Sequence, residues 1–320
     1  MSTMKTSYAA EIFIPCFHEE EALPSTIPVL ISFFRDLVKS DDNRLSSFRI
    51  TLIDDGSKDQ TWNTIQGLSE TNTEIRGLKL ARNFGHQAAM LAGLTHAGGD
   101  VVITMDADLQ DDIMAIKDML TAYEAGAHLA LGVRTDRSSD STLKRSTANA
   151  YYRVLTLLGV NIIENHADFR LMSRTALEAL LQHQEVNLFL RGLIPTIGFS
   201  VVLVPYARKA REQGTTKYTA GKMLRLAIDG ITSFSVVPLR LIAAVGAFVF
   251  LGTALLGLYV VIQRVVVPSQ VVPGWASTLL PILLLGGLQL LSIGVLGEYV
   301  GKIYMEVKKR PRFIVEEVTE

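Results

Sequence analysis

The chain has 320 residues, a formal net charge of −1 and a single cysteine, Cys16. A near-neutral charge excludes nucleic-acid binding through a global basic field, and one cysteine excludes an internal disulfide. The mean hydropathy of +0.28 is high for a soluble protein, so apolar segments must be concentrated in part of the chain. The first ten residues contain no apolar run, and we therefore expect no signal peptide.

Residues 1 to about 215 alternate between patterns typical of strands and patterns typical of helices. Strands are predicted from short apolar, β-branched runs, and helices from apolar residues spaced three and four apart. This alternation indicates an α/β domain with a mostly parallel sheet. The predicted strands cover residues 10–15, 49–53, 77–80, 100–105 and 128–133, and the predicted helices cover residues 25–38, 59–68, 85–96, 113–125 and 144–158.

Polar side chains follow three of the predicted strands at the point where each strand ends. The three clusters begin at Pro15, at Asp54-Asp55 and at Asp106. Each cluster taken singly is also explained as a solvated turn or helix start. Because the carboxyl ends of parallel strands lie along one edge, where open α/β sheets bind ligands, the three clusters together predict a binding site.

Asp106 and Asp108 form the most informative of these clusters. On an extended chain they lie on the same side, about 6–7 Å apart along it. Two carboxylates so placed suit a Mg²⁺ or Mn²⁺ ion that also holds a diphosphate. The alternative for this pair is a solvated acidic turn, and the two neighbouring clusters favour the metal site.

The apolar character of the chain is concentrated near its C-terminal end. Residues 241–262 and 276–297 contain no charged residue, and each is long enough to cross a hydrocarbon core of about 30 Å. Two buried core helices are the alternative. Lysine and arginine residues flank the pair on both outer sides, which predicts a membrane hairpin with both chain ends in the cytoplasm.

Residues 218–237 have apolar side chains at helical spacing, with the charged residues Lys222, Arg225 and Asp229 between them. Their position before the first apolar segment favours an amphipathic helix at the membrane surface over an ordinary surface helix. The predicted organisation is therefore an α/β domain (1–215), an interfacial region (216–239), a transmembrane hairpin (240–303) and a cytoplasmic tail (304–320).

Six stretches occur in a fixed order along the chain: residues 14–20 (IPCFHEE), 54–59 (DDGSKD), 82–85 (RNFG), 106–110 (DADLQ), 168–172 (DFRLM) and 211–218 (REQGTTKY). With these stretches the chain resembles inverting family-two glycosyltransferases of the dolichyl-phosphate mannose synthase type. Residues 136–138 (DRS), 143–145 (LKR), 187–189 (NLF), 232–235 (TSFS) and 297–301 (GEYVG) make it most similar to the bacterial bactoprenol (undecaprenyl-phosphate) glucosyltransferases of O-antigen modification.

The resemblance implies a GT-A, Rossmann-like catalytic domain and a role for each matching residue. It implies a nucleotide pocket formed by Pro15, Phe17, Glu19, Asp106 and either Asp54 or Asp55 as the acid that binds the base and ribose. It implies that Asp106, Asp108 and Gln110 hold Mg²⁺ or Mn²⁺ and the diphosphate, that Arg134, Arg211 and Lys217 hold donor or lipid phosphate, and that Asp168 lies on the acceptor side. The resemblance thus implies that Asp108 has a catalytic role as well as a metal-binding one.

The implied reaction is inverting, metal-dependent transfer of a hexose, taken to be glucose from UDP-glucose, to undecaprenyl phosphate. It would take place at the cytoplasmic face of the bacterial inner membrane, in contact with the bilayer. Glycines in the apolar segments would allow close helix packing and a homo-oligomer. The alternatives are another donor, such as an aminoarabinose nucleotide or UDP-N-acetylhexosamine, or a non-catalytic membrane partner that binds a nucleotide sugar.

Two departures from the family pattern bear on these expectations. Phe17-His18 stands where the family usually has Tyr-Asn, so a hydroxyl and an amide are lost from the first loop. Asp111-Asp112 stands where prolines commonly follow, which adds negative charge near the predicted metal. The ligand count and the geometry of that metal therefore stay open at this point.

Overall fold

The computed structural model describes residues 7–40, 44–135, 163, 166–183, 185, 190–207, 236–266 and 275–319. The predicted helix over residues 144–158 and nearly all of the predicted interfacial helix lie outside these residues. Arg211 and Lys217 also lie outside them. The chain divides into two compact units, of which the first comprises Met1–Arg153, Asn161–Tyr218 and Arg310–Glu320, and the second Val154–Val160 and Thr219–Lys309.

The first unit is built around an eight-stranded sheet with the order β7-β5-β6-β4-β1-β2-β3-β8. The strands are β1 (Tyr8–Cys16), β2 (Leu45–Asp54), β3 (Ile75–Leu80), β4 (Val101–Thr104), β5 (Leu129–Arg134), β6 (His166–Ser173), β7 (Val201–Tyr206) and β8 (Val315–Val318). The pairs β1–β2, β1–β4, β2–β3 and β5–β7 are parallel. The pairs β3–β8, β4–β6 and β5–β6 are antiparallel. The predicted mostly parallel sheet is confirmed.

The first four helices of this unit begin and end close to the predicted positions, and the last two were not predicted. They are α1 (Leu23–Lys39), α2 (Thr61–Thr71), α3 (His86–Thr95), α4 (Ala115–Glu124), α5 (Arg174–Leu181) and the short α6 (Leu190–Leu193), which continues into a 3₁₀ turn at Ile194–Ile197. In α1, Ile27, Ile31 and Phe34 are buried at helical spacing, as the sequence pattern predicts.

The core has one layer on each face of the sheet. Alternation along β1 sends Ile12 and Ile14 to one layer and Phe13 to the other. The first layer is completed by apolar residues of α1, α2 and α4, and the second by those of α3 and α5. Helices on both faces of a mostly parallel sheet bury its strands and leave the loops at the strand ends exposed.

Three strands, β6, β7 and β8, were not predicted from the sequence. The β6 sequence, HADFRLMS, carries charged residues at positions that the fold buries, so its pattern does not resemble an apolar strand. The β8 sequence, VEEV, is short and charged. Because β8 pairs with β3, residues 310–320 belong to the α/β unit, a contribution that the expected division into a 1–215 domain and a 304–320 tail does not include.

The second unit contains the long helices α7 (Val237–Val266) and α8 (Trp275–Val307). Within the residues that the structure describes there, the segment Leu284–Val307 is long and apolar enough to cross a membrane. Val237–Val249 forms a shorter apolar segment. Large apolar side chains such as Leu284 and Leu290 are exposed on α8, which is typical of a surface that meets lipid or a protein partner.

Candidate active site

The carboxyl ends of β1, β2 and β4 lie next to one another at one edge of the sheet. Cys16, the last residue of β1, is in register with Asp54, the last residue of β2. On the other side of β1, Phe13 is in register with Thr104 at the end of β4. The three polar clusters therefore converge, as the sequence predicts from the parallel topology.

An open cleft of about 250 Å³ lies at this edge. Its lining comes from the three strand ends and from the loop before α3: Pro15, Cys16, Phe17, Glu19, Asp55, Asn83, Gly85, His86, Asp106, Ala107 and Asp108. Six of these were predicted as site residues, namely Pro15, Phe17, Glu19, Asp55, Asp106 and Asp108. Asp54, Gln110, Arg134 and Asp168 are not part of this lining.

Asp55 joins the loop after β2 to the loop before α3. Its two carboxylate oxygens accept hydrogen bonds from the backbone N–H groups of Phe84 (2.7 Å) and Gly85 (2.9 Å). Burial raises the pKa of Asp55, while these two hydrogen bonds lower it. Gly56 makes this close approach possible, because its φ is +65° and an added Cβ would lie 2.3 Å from the backbone of Arg82. Asp55 thus shapes the cleft wall.

Asp54 is fully buried beside Asp55. One of its oxygens accepts a hydrogen bond from the backbone N–H of Ser57 (3.0 Å). The other oxygen has no hydrogen-bond partner among the residues that the structure describes. Of the two acids proposed for base and ribose binding, the structure therefore brings Asp55 to the cleft and places Asp54 beneath it.

Asp106 and Asp108 both line the cleft and lie two residues apart on the loop that follows β4. An oxygen of Asp108 accepts a hydrogen bond from the backbone N–H of Gln110 (3.2 Å), and Leu109 between them has a positive φ of 47°. Partial burial and the charges of nearby carboxylates raise the pKa of Asp106, and His86 lowers it. A carboxylate in this setting is stabilised by a cation.

The two carboxylates suit a divalent ion in their chemistry. Among the described residues no group of three or more His, Cys, Asp or Glu side chains forms a complete metal cage. Mg²⁺ commonly uses one or two protein carboxylates and completes its shell with water and substrate phosphate, so an incomplete protein shell fits a metal that binds together with a diphosphate.

Asp168 lies on β6, the strand next to β4, and is surrounded by basic groups. Its Oδ1 accepts hydrogen bonds from the Nη2 of Arg170 (3.0 Å) and the Nε of Arg191 (3.3 Å). Its Oδ2 accepts one from the Nη2 of Arg191 (2.7 Å) and lies 3.5 Å from the Nε2 of His86. Burial alone would raise the pKa of Asp168, but these three groups hold it well below its usual range.

His86 connects the two acidic positions. Its Nε2 lies 3.8 Å from an oxygen of Asp106 and 3.5 Å from one of Asp168. Burial lowers the pKa of His86, but the hydrogen bond to Asp168 and the charges of both carboxylates raise it above the usual histidine value. His86 was not predicted as a site residue, although it directly follows the 82–85 stretch. The sequence feature that points to His86 is its position directly after the 82–85 stretch, at the start of the predicted helix.

Arg170 and Arg191 were also missed. Arg170 has a fully buried side chain, and a buried arginine in a strand requires a carboxylate partner. That requirement could have linked it to Asp168 two residues earlier. Arg191 carries no local signal of this kind, because only the packing of α6 brings it to Asp168.

Arg134, which was predicted to hold phosphate, lies beside a second buried acid, Asp111. Its Nε donates to the hydroxyl of Tyr206 (3.2 Å), and its Nη2 lies 3.8 Å from an oxygen of Asp111. The Tyr206 hydroxyl donates to the same Asp111 oxygen (2.6 Å). Asp112 accepts a hydrogen bond from the backbone N–H of Met114 (3.0 Å) just before α4. The two extra acids are thus occupied by protein partners, Asp111 in the interior and Asp112 at the start of a helix.

An acid-lined cleft at the carboxyl edge of a mostly parallel sheet, with helices on both faces, defines an α/β enzyme that binds its ligand at the strand ends. Residues 11–181 match the model of the family described as Glycosyl transferase family 2. The chain belongs to this family, and the predicted enzyme class is confirmed.

Relatives of known sequence align with this chain over nearly its whole length. It is 46% identical to the Uncharacterized glycosyltransferase YkoT of Bacillus subtilis, over 95% of this chain and 90% of that protein. It is 40% identical to the SfII prophage-derived bactoprenol glucosyl transferase of Shigella flexneri, over 95% of this chain and 96% of that protein. A solved structure of the mannosyltransferase PcManGT from Pyrobaculum calidifontis, in complex with GDP-Man and Mn²⁺, aligns with a TM-score of 0.46 at 14% identity, covering 93% of this chain and 85% of that one.

Proposed function

We propose that this protein transfers a hexose from a nucleotide sugar to the phosphate of undecaprenyl phosphate, with glucose from UDP-glucose as the donor. The main observation behind the proposal is that an acidic site and a basic cluster lie side by side at one edge of the sheet. Asp106 and Asp108 face the cleft, and the basic cluster around Asp168 lies next to them. The relative named a bactoprenol glucosyl transferase, 40% identical over 95% of this chain, supports the choice of acceptor.

The nucleotide is proposed to occupy the cleft. Phe17 has an exposed ring at the cleft wall that a base can stack on, and Pro15 and Glu19 complete that wall. Asp55 contributes by fixing the loop before α3. Phe17 lacks the hydroxyl of the tyrosine that the family usually has at this position, so stacking on the ring rather than a side-chain hydrogen bond would hold the base there.

Asp106 and Asp108 are proposed to hold Mg²⁺ or Mn²⁺, and the backbone geometry at Gln110 keeps Asp108 in place. When bound, such an ion would stabilise the negative charge of the leaving diphosphate. Arg211 and Lys217 are proposed to hold phosphate groups, and both lie outside the described residues.

The reaction is a single displacement. An oxygen of the acceptor phosphate forms a bond to the anomeric carbon, the bond from that carbon to the diphosphate oxygen breaks, and the nucleoside diphosphate leaves with the electron pair. An α-linked donor then gives a β-linked product. The acceptor phosphate is already anionic near neutral pH, so no base is required to remove a proton from it.

The membrane-facing part of the proposal rests on the apolar segments. We propose that α7 and α8 form a transmembrane hairpin and that the α/β unit works at the cytoplasmic face. The apolar segment Leu284–Val307 and the lysine and arginine residues that flank the two helices support this.

A donor screen tests the proposal. The full chain in lipid nanodiscs would be incubated with undecaprenyl phosphate, Mg²⁺ or Mn²⁺, and radiolabelled UDP-glucose, a UDP-N-acetylhexosamine or an aminoarabinose nucleotide in parallel. We expect label to enter the lipid fraction from UDP-glucose and only in the presence of a divalent ion. Label from one of the other donors would replace the donor assignment, and donor binding without lipid-linked product from any of them would contradict the proposed transfer.

A further inference from the structure

Arg191 is the arginine of the Asp168 cluster that has both a fixed orientation and an exposed side chain. Two of its nitrogens contact the two oxygens of Asp168, at 3.3 and 2.7 Å, which fixes the plane of the guanidinium. Its side chain is 42% exposed, whereas that of Arg170 is fully buried. Arg170 can therefore support Asp168 but cannot reach a ligand, and Arg191 can do both.

The cluster gathers three basic side chains around the buried carboxylate of Asp168, and one of them, His86, also lies 3.8 Å from Asp106. One carboxylate, that of Asp168, contacts two guanidinium groups and lies close to the His86 ring. A structural ion pair would need only one of these partners. These basic groups lie next to the place where the proposed reaction brings two phosphate-bearing substrates together, and the mutual repulsion of those substrates has to be offset by protein cations.

The position of Arg191 favours the acceptor over the donor. His86 lines the cleft and lies within 3.5 Å of Asp168, while Asp168 and Arg191 are not part of the lining. Arg191 is thus separated from the nucleotide cleft by His86 and Asp168. A group bound by Arg191 would lie beside the cleft, next to Asp168 and His86, and not at the nucleotide wall that includes Pro15 and Phe17.

The contacts of Asp168 also indicate its role. Each of its oxygens already faces two nitrogens of basic side chains, one pair from Arg170 and Arg191 and the other from Arg191 and His86. A carboxylate occupied in this way orients its partners and does not contact a substrate.

We propose that Arg191 binds the phosphate of the lipid acceptor and that Asp168 is the positioning residue that orients its guanidinium. Asp168 takes the Nε–Nη2 edge of this guanidinium, and the planar Nη1–Nη2 edge of an arginine also suits phosphate oxygens. A guanidinium held by a second contact loses less freedom on binding. This inference rests on the proposed function, because it names the residue that recognises the acceptor of that reaction.

The test compares Arg191→Ala with Arg174→Ala in the full chain in nanodiscs. Arg174 is a matched control because its side chain is also 42% exposed and also contacts a carboxylate, Glu178, but it hydrogen-bonds Ala97 at the opposite end of the sheet. We expect Arg191→Ala to raise the KM for undecaprenyl phosphate by about 10-fold or more, as for loss of a charged hydrogen bond, and to leave the KM for the nucleotide sugar within about twofold. Arg174→Ala should change neither value.

Two further measurements keep the test independent of folding and of turnover. Arg191→Lys keeps the charge without the fork, so it should recover part of the acceptor affinity. Binding of undecaprenyl phosphate and of undecaprenol, which lacks the phosphate, would be measured directly. Arg191→Ala should weaken the first about 10-fold and leave the second unchanged.

The outcomes separate this inference from the proposed function. If the wild type transfers sugar to undecaprenyl phosphate and Arg191→Ala leaves the acceptor KM unchanged or raises the donor KM equally, the role of Arg191 is overturned and the proposed function stands. If the wild type neither binds undecaprenyl phosphate nor transfers sugar to it, both are overturned.

Discussion

Asp106 and Asp168 lie at the same edge of the sheet, on or just after neighbouring strands, yet their surroundings are opposite. Asp106 faces the open cleft, and the basic group that the structure places beside it, His86, is 3.8 Å away. Asp168 is buried among Arg170, Arg191 and His86. The pKa of Asp106 is raised by burial and by neighbouring acids, whereas that of Asp168 is held low by its basic partners.

The comparison shows how neighbouring elements divide one residue type between two tasks. The loop after β4 brings Asp106 together with other acids, which leaves a site that an added cation stabilises. Strand β6 and helix α6 bring basic side chains to Asp168, which makes it a support for those side chains. Four predictions test this division, from the largest expected effect to the smallest.

Replacing Asp108 by alanine should remove one of the two carboxylates proposed to hold the metal. We expect transfer to fall by about 100- to 1,000-fold or more, the size found when one preorganised electrostatic contact is removed from an active site. The measurement is the rate of label entering the lipid fraction. Asp112→Ala is the control, because Asp112 is four residues away but accepts a hydrogen bond from Met114 before α4. Wild-type turnover in Asp108→Ala would contradict the metal assignment.

Asp168→Asn should cost far more stability than Asp106→Asn. The first leaves the buried Arg170 without its charged partner, which typically destabilises a protein by about 3–5 kcal/mol. The second relieves repulsion among acids and should be neutral or stabilising. Because the folded-state pKa of Asp168 is lowered, its contribution is present above the usual carboxyl pKa and is lost as the pH falls through the lower folded-state value. Denaturant titrations of the full chain in detergent would measure this, and equal stabilities of the two variants would refute the division.

His166, on the same strand as Asp168, extends the comparison to a buried base. Burial and the charge of Arg170 lower the pKa of His166 to about 3. The unfolded chain takes up a proton near pH 6.5 that the folded chain takes up only near pH 3, so stability should fall on acidification between these values. We expect a loss of about 2 kcal/mol from pH 7 to pH 5 at this residue, absent in His166→Leu. An unchanged pH dependence of the unfolding free energy in the variant would show that His166 does not contribute.

Tyr206→Phe should have the smallest effect. It removes a hydroxyl that donates to Asp111 and accepts from Arg134. We expect the free energy of unfolding to fall by about 1–2 kcal/mol. We also expect a several-fold fall in transfer, because Arg134 changes its orientation. Tyr8→Phe is matched to it, because the Tyr8 hydroxyl also donates to a carboxylate, that of Glu124, away from the cleft. Tyr8→Phe should lose similar stability and no activity, and equal activity losses in both variants would argue against a role for Arg134.

Much of the fold and the acidic half of the site follow from local patterns in the sequence. The strands β1, β2 and β4 end where their apolar runs give way to polar residues, so the sequence predicts these ends. Parallel pairing then brings Asp55, Asp106 and Asp108 together. The basic half does not follow, because β6 pairs antiparallel with both neighbours and its charged residues are satisfied only by tertiary partners. His86 and Arg191 reach Asp168 through helix packing, which no local spacing records. The roles of Asp111 and Asp112 likewise depend on tertiary and backbone partners, Tyr206 for Asp111 and the N–H of Met114 for Asp112.

Strand β8 has a consequence for the order in which this protein is made. It pairs with β3 only after α7 and α8 have been synthesised, and it is held there by Glu317, which accepts hydrogen bonds from Trp62 and Gln66. Until then the nascent α/β unit carries β3 as an open sheet edge, the kind of surface on which strands of other chains add. The glutamates of β8 then form a charged outer edge that discourages such addition. Completion of the sheet during biosynthesis is therefore coupled to completion of the apolar helices that precede its last strand.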